Sequence, residues 1–190
     1  NFFNIVKDDF CTEVLKLTFP ELKNIDVFKK LNTQSKIILS SKTYVFLISL
    51  MTIDNSDNTD YFFYKYNISN KDKNKINFLK ENYLKFSEKN FFTEKNLSKI
   101  FYIYGKDDLI DVIDFRICTL KKVDKNLIKI KNIFNLKSKP IFPIDANELI
   151  KKYGLKEGRY LGQKLKEIEN IWLNNNFKIC EKDIKKLLNS

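Results

Sequence analysis

The sequence predicts an all-α fold, a multi-helical bundle, on three observations. Apolar residues recur at helical spacing along most of its 190 positions. No stretch shows sustained apolar–polar alternation, and no repeat period is present. Only four glycines and three prolines occur, too few for a turn-rich all-β design. With 43% hydrophobic residues, including 17 Phe and 9 Tyr, the chain has ample material for a packed core and is not disordered as a whole.

The elements follow in order. Val14 to Phe19 and Leu22 to Leu31 are expected as helices broken apart by Pro20, and Ser35 to Thr52 as one long helix. Asp54 to Asp60 is a polar loop. Tyr61 to Tyr66 has strand-like aromatic content, but a lone strand makes no sheet. Ser69 with Asp72 three residues on reads as a capping box that opens a helix reaching about Lys89. Leu97, Ile100, Phe101 and Tyr104 lie at i, i+3, i+4, i+7, with Thr93 as N-cap and Gly105 as a left-handed terminator. A helix over Asp107 to Leu120 carries Leu109, Val112, Ile113 and Ile117 on one stripe, and another over Asp124 to Leu136 carries Leu127, Ile130 and Phe134. Pro140 and Pro143 punctuate the Lys137 to Pro143 stretch. The expected division is therefore a helical body over 1–139 and a helical tail over 140–190. In the tail, Asp145 caps a short helix with Glu148 as its reciprocal partner. Gly154 ends that helix, and Gly158 opens a longer one with Leu161, Leu165, Ile168 and Trp172 inward. A basic helix closes the chain over Glu181 to Leu188.

The formal charge is +11, and it is unevenly placed. Residues 1–60 hold 7 basic and 8 acidic side chains, 61–119 hold 11 and 8, and 120–190 hold 17 and 8, giving −1, +3 and +9. The excess in the last third suggests a polyanionic partner, set against a Lys-rich solvated surface favoured by AT-rich coding. There is no histidine, so a histidine general base, a Ser-His-Asp triad and His-containing zinc sites are excluded. Cys11, Cys118 and Cys180 are odd in number and far apart, with no C-x-x-C, so no disulfide is expected and the thiols read as small buried side chains of a reduced, cytoplasmic protein. The longest apolar run, Thr43 to Met51, is far short of the ~20 residues of a membrane span, and no secretory pattern opens the chain. Because it begins on Asn1 and not Met, it is expected to be a piece of a longer protein.

Three motifs carry possible chemistry. Asp107, Asp108 and Asp111 form D-D-x-x-D, which on a helix has the reach to hold magnesium and a diphosphate. Acids gathered at a helix start also complement its dipole, and that is the preferred reading. Asp54, Asp57 and Asp60 lack the turn glycine and terminal glutamate of a calcium loop. No P-loop and no D-x-D pair is present, so the D-x-D arrangement that holds two metal ions for nucleotidyl transfer is missing here. The third motif is a glycine corner. Gly154, Gly158 and Gly162 fall within nine residues, at the turn between a short and a long helix. Lys151, Lys152, Lys156, Arg159 and Lys164 surround it. Free N–H groups at the new helix start together with these cations make a phosphate site, set against a plain helix corner with incidental lysines. Gly162, inside a helix at a cost of ~1 kcal/mol against Ala, suggests close approach by another helix or a ligand.

Pro143 to Phe177, PIDANELIKKYGLKEGRYLGQKLKEIENIWLNNNF, resembles the C-terminal signature of bacterial CCA-adding tRNA nucleotidyltransferases and their poly(A) polymerase relatives. Glu148-Leu149, Gly154, Gly158, Gly162, Leu165 and Trp172 fall in matching places, while Glu157 and Arg159 replace the family's turn prolines. Looser likeness extends upstream. Asn67 to Leu79, NISNKDKNKINFL, is similar to a Leu-Ser pair followed by basic residues. Tyr104-Gly105 with Leu109 and Ile113 resembles the helix pair before the signature. Phe2 to Leu31, with Phe19-Pro20-Glu21, resembles the segment after the neck.

The resemblance implies a body and tail that grip the acceptor and T-arm backbone of tRNA. It also implies a separate catalytic head with paired metal-binding aspartates, Mg2+ and CTP or ATP, and a neck with a Glu-Asp-x-x-Arg element that selects the nucleotide. Neither element is in this sequence, so no cofactor and no catalytic residue is assigned to it, and the chain alone is expected to add no nucleotide. Whether the parent activity is CCA, A-only or poly(A) addition stays open. Two other classes also stay open. One is a helix-hairpin-helix-like module holding DNA phosphates without reading sequence, and the other is a helical protein-interaction domain.

Overall fold

In a computed structural model, residues 5–188 are described, and Phe2, at the head of the Phe2 to Leu31 likeness, lies outside them. Among the described residues the fold is all-helical, with no strand. The chain divides into two compact units, Asn1–Lys137 and Ser138–Ser190.

The first unit begins with α1 (Asp9–Thr18), whose first turn is capped by the Asp8 carboxylate accepting from Cys11 N at 2.8 Å. It starts five residues before the expected Val14 because Asp8 supplies that cap. Leu22 to Leu31 is not an α-helix. A 3-10 segment (Ile25–Lys30) replaces it. The apolar positions explain the difference: Leu22, Ile25, Phe28 and Leu31 recur every three residues, and the last three are buried. That is the period of a 3-10 helix, in which i and i+3 eclipse.

The expected long helix over Ser35 to Thr52 is two helices, α2 (Thr33–Ser40) and α3 (Tyr44–Thr52). Lys42 sits in the break and reaches Asp111 and Asp114. Tyr61 to Tyr66 is not a strand but most of α4 (Asn58–Lys65) and its C-cap. Phe62 is buried and Tyr66 packs on the core one turn later, while Tyr61 and Tyr64 are exposed. The Asn58 side chain fixes the start of α4 by donating to Glu21 O and Thr52 O, both at 2.7 Å.

Next comes α5 (Asn70–Tyr83), where Ser69 Oγ accepts from Asp72 N at 3.1 Å. The Asp72 carboxylate accepts from the Tyr44 hydroxyl. The helix stops at Tyr83 and not Lys89, because the chain folds into successive turns that bury Phe86 and Phe91.

The pair α6 (Glu94–Tyr104) and α7 (Lys106–Thr119) meets at Gly105. Gly105 has φ 94° and ψ 179°, so it is extended at positive φ, not the left-handed helical conformation expected of it. That region is open to glycine almost alone. α8 (Lys125–Leu136) is capped by Asp124.

Helix α7 is the axis of this unit and packs against α2, α3, α5, α6 and α8. Its Leu109, Val112, Ile113, Phe115, Ile117 and Cys118 are all buried. Buried residues on most sides of this helix follow from its being surrounded by others. Phe115 lies edge-on to Phe46 and within ring contact of Tyr83 and Phe86. Phe101 and Phe134 join α6 to α8 with ring centroids 5.9 Å apart.

The second unit holds α9 (Ala146–Tyr153), α10 (Arg159–Asn174) and α11 (Glu181–Leu188), with α10 packed against both others. Ile144, Leu149, Leu161, Ile168 and Ile184 form its core. Trp172 is buried between Phe142 and Phe177, with centroids at 5.3 and 4.9 Å. Phe177 reaches that place because Asn176 and Phe177 take φ 56° and 60° and turn the chain back at the end of α10. A bulky residue at positive φ is uncommon, and here the turn is closed by Phe177 N donating to Trp172 O at 2.8 Å.

All three cysteines are free. Only Cys118 is buried, and Cys180 is exposed, contrary to the expectation that all three thiols are internal. No helix among the described residues is long and apolar enough to cross a membrane.

Candidate nucleic-acid interface

The glycine corner is built by α9, its terminator and the start of α10. Asp145 Oδ1 accepts from Glu148 N at 2.7 Å and starts α9. The Glu148 carboxylate does not return to Asp145 but pairs with Lys152 at 2.6 Å. Gly154, at φ 68° and ψ 20°, is the left-handed C-cap of α9. Gly158, at φ 142° and ψ −171°, is the residue before α10, and no side chain caps that helix. Its first-turn N–H groups keep their positive end of the helix dipole. Both backbone conformations favour glycine.

Gly162 does not have the role expected of it within the fold. A Cβ built there meets nothing within 4 Å, so no helix approaches it closely, and the position is exposed.

The five candidate cations separate into two groups. Lys151, Lys156 and Arg159 are exposed and make no ion pair among the described residues. Lys152 is exposed but held by Glu148, which keeps its pKa above the ordinary lysine value. Lys164 is mostly covered. It donates to Leu187 O at 3.0 Å, pairs with Glu167 at 3.2 Å and lies over the Tyr160 ring. Lys164 therefore ties α10 to α11, and three cations are left to face solvent at the turn. The exposed Tyr160, beside Arg159 in the first turn, was not singled out by the sequence.

The acidic motif has a different fate. Asp108 and Asp111 both pair with Lys75 of α5 at 2.5 Å. Asp111 and Asp114 both pair with Lys42 at 2.6 and 2.7 Å, and Asp114 also pairs with Lys131 of α8 at 2.6 Å. Acids at i, i+3 and i+6 thus run as a ladder down one side of α7, interleaved with lysines from three other segments. Asp114 is 1% exposed, so its charge has no water to turn to. Burial works against the Lys42 ammonium, but Asp114 and Asp111 outweigh it and hold its pKa above the ordinary 10.5. Lys75 follows the same pattern through Asp108 and Asp111. Asp108 and Asp111 of the motif are spent on joining elements of the fold, while Asp107 is exposed. The expected Asp54 to Asp60 loop ends at Asp57, because Asn58 starts α4; Asp54 accepts from Ser56 and pairs with Lys23, and Asp60, in α4, pairs with Lys80.

Comparison with known protein families, with curated proteins and with solved structures finds no match for this chain.

Proposed function

We propose that this chain binds the sugar–phosphate backbone of tRNA, in the manner of the body and tail of a CCA-adding nucleotidyltransferase whose catalytic head is supplied by residues outside this sequence. The observation that supports this reading most is the corner itself. An uncapped start of a 16-residue helix is flanked by Lys151, Lys156 and Arg159, all exposed and without acidic partners among the described residues. N–H groups at a helix start and nearby cations both favour phosphate oxygens. Neither group reads a base, so the contact positions RNA and specifies no sequence. Chemistry is left to the head, because this sequence has no D-x-D pair or P-loop.

The test is a binding competition joined to an activity assay. Labelled tRNA lacking its terminal CCA is titrated with the chain and challenged with unlabelled tRNA or duplex DNA. The expected result is displacement by tRNA at much lower concentration than by DNA. With Mg2+, CTP and ATP added, the chain alone leaves the tRNA 3′ end unextended. Equal displacement by duplex DNA points to the helix-hairpin-helix alternative, and clear extension by pure protein overturns the division of labour.

A further inference from the structure

The +9 of the last third is not confined to the corner. Residues 120–137, at the end of the first unit, hold six lysines and one acid, while residues 138–190 hold 11 basic and 7 acidic side chains. More than half of the excess, +5 against +4, therefore lies before the tail. Two of the six lysines are committed: Lys131 to Asp114 and Lys137 to Glu94. The other four, Lys121, Lys122, Lys125 and Lys129, are exposed and have no ion pair among the described residues.

Three of these four share a surface. Lys121, Lys122 and Lys125 line an open hollow of about 640 Å³ walled by the α7–α8 loop and the helix ends beside it, Thr119 to Asn126. A second cavity, of about 220 Å³, shares Thr119, Leu120 and Lys121 with the first and adds Lys30, also exposed and without an ion pair among the described residues. Two acids touch these cavities, and both are in use. Asp124 Oδ1 accepts from Asn126 N and Leu127 N as the cap of α8. Asp26 pairs with Lys16 and Lys29. The result is a double hollow rimmed by four unmatched cations.

We propose that this loop is a second phosphate-binding surface, located in the first unit, which takes the backbone of the same RNA. The identity of the polyanion rests on the reading above, whereas the surface rests on its own residues. Lysines present mobile point charges without a planar fork, which suits repeated phosphates more than one shaped carboxylate or base edge. Val123 is the exposed apolar side chain of the rim. It offers no aromatic anchor for a protein hot spot and no wedge for a bilayer.

The test uses the 190-residue chain, tRNA, and two triple variants: Lys121→Ala/Lys122→Ala/Lys125→Ala in the loop and Lys151→Ala/Lys156→Ala/Arg159→Ala in the corner. The plot of log affinity against log salt has a slope set by the number of phosphates neutralised. The loop variant is expected to flatten that slope by roughly one unit per lost contact, with unchanged far-UV circular dichroism. A Lys→Gln version of the loop variant gives the same result if charge is the cause. If the loop variant keeps the wild-type slope while the corner variant flattens it, this inference is overturned and the corner reading stands. If only the loop variant flattens it, the inference stands and the corner reading falls. Vesicles of phosphatidylserine and poly-glutamate are the remaining probes. Loss of binding to either in the loop variant, with tRNA binding untouched, overturns the inference.

Discussion

Lysine does opposite work in two regions of this molecule. Along α7, Lys42, Lys75 and Lys131 are largely covered, and each meets one or two aspartates at 2.5–2.7 Å. At the corner between α9 and α10, Lys151, Lys156 and Arg159 are exposed and unmatched. Residue type and local charge do not separate the two groups. Burial and the presence of an acid on another packed element do. A covered cation with partners holds the fold, and an exposed one without them is available to a ligand. This contrast sorts the lysines of a Lys-rich sequence better than their density along the chain.

The sharpest way to break the comparison is to remove an acid from the ladder. Asp114→Ala leaves Lys42 and Lys131 without their shared partner in a buried place. Breaking a buried pair from one side costs ~3–5 kcal/mol, so urea unfolding should show a loss of that order in the first unit. Removing the corner cations should cost under ~0.5 kcal/mol, as for other surface changes. Equal losses would erase the distinction.

A smaller effect comes from pH. Lys42 and Lys75 have pKa values raised above 10.5 in the folded chain. A group with a raised folded pKa adds stability that is complete below its unfolded value, and loses it as pH rises through the folded value. The melting temperature should therefore hold steady up to about pH 10 and fall above it, and the fall should be blunted in Lys42→Met. A melting temperature that rises above that pH contradicts the ladder's role.

The smallest effect is chemical and leaves stability alone. Burial, with Asp114 nearby, pushes the Cys118 thiol up to about 12. Cys180 is exposed. Mass spectrometry after brief alkylation of native protein at pH 8 should find Cys180 labelled and Cys118 unlabelled. Labelling of Cys118 at a matching rate would place α7 at the surface.

How much of this was legible in the sequence depended on range. Caps were legible because they are local: Ser69, Thr93 and Asp145 each accept from an N–H three residues on. Glycine placement at Gly154 and Gly158 was legible for the same reason. The break at Lys42 was not, because its cause is a pair of aspartates about seventy residues away. The 3-10 segment is visible in principle through the three-residue recurrence of Leu22, Ile25, Phe28 and Leu31, a spacing that an α-helix over Leu22 to Leu31 does not require. The corner's residues were found from sequence. The division of its lysines was not, since pairing with Glu148 or Glu167 requires helix register and packing to be known. The α7–α8 loop lysines were counted in the basic third but not separated from it.

The most direct measurement of the central claim compares matched with unmatched cations in one assay. Lys16, Lys23 and Lys29 are exposed or half-exposed, but each is paired to an aspartate. The triple alanine variant of these three and that of Lys151, Lys156 and Arg159 each remove three positive charges. Affinity for tRNA is followed across salt for both and for the unaltered chain. The account predicts a wild-type slope for the matched set and a slope flatter by roughly one unit per lost contact for the corner set. Equal flattening in the two variants would show that only total charge matters, and would contradict it.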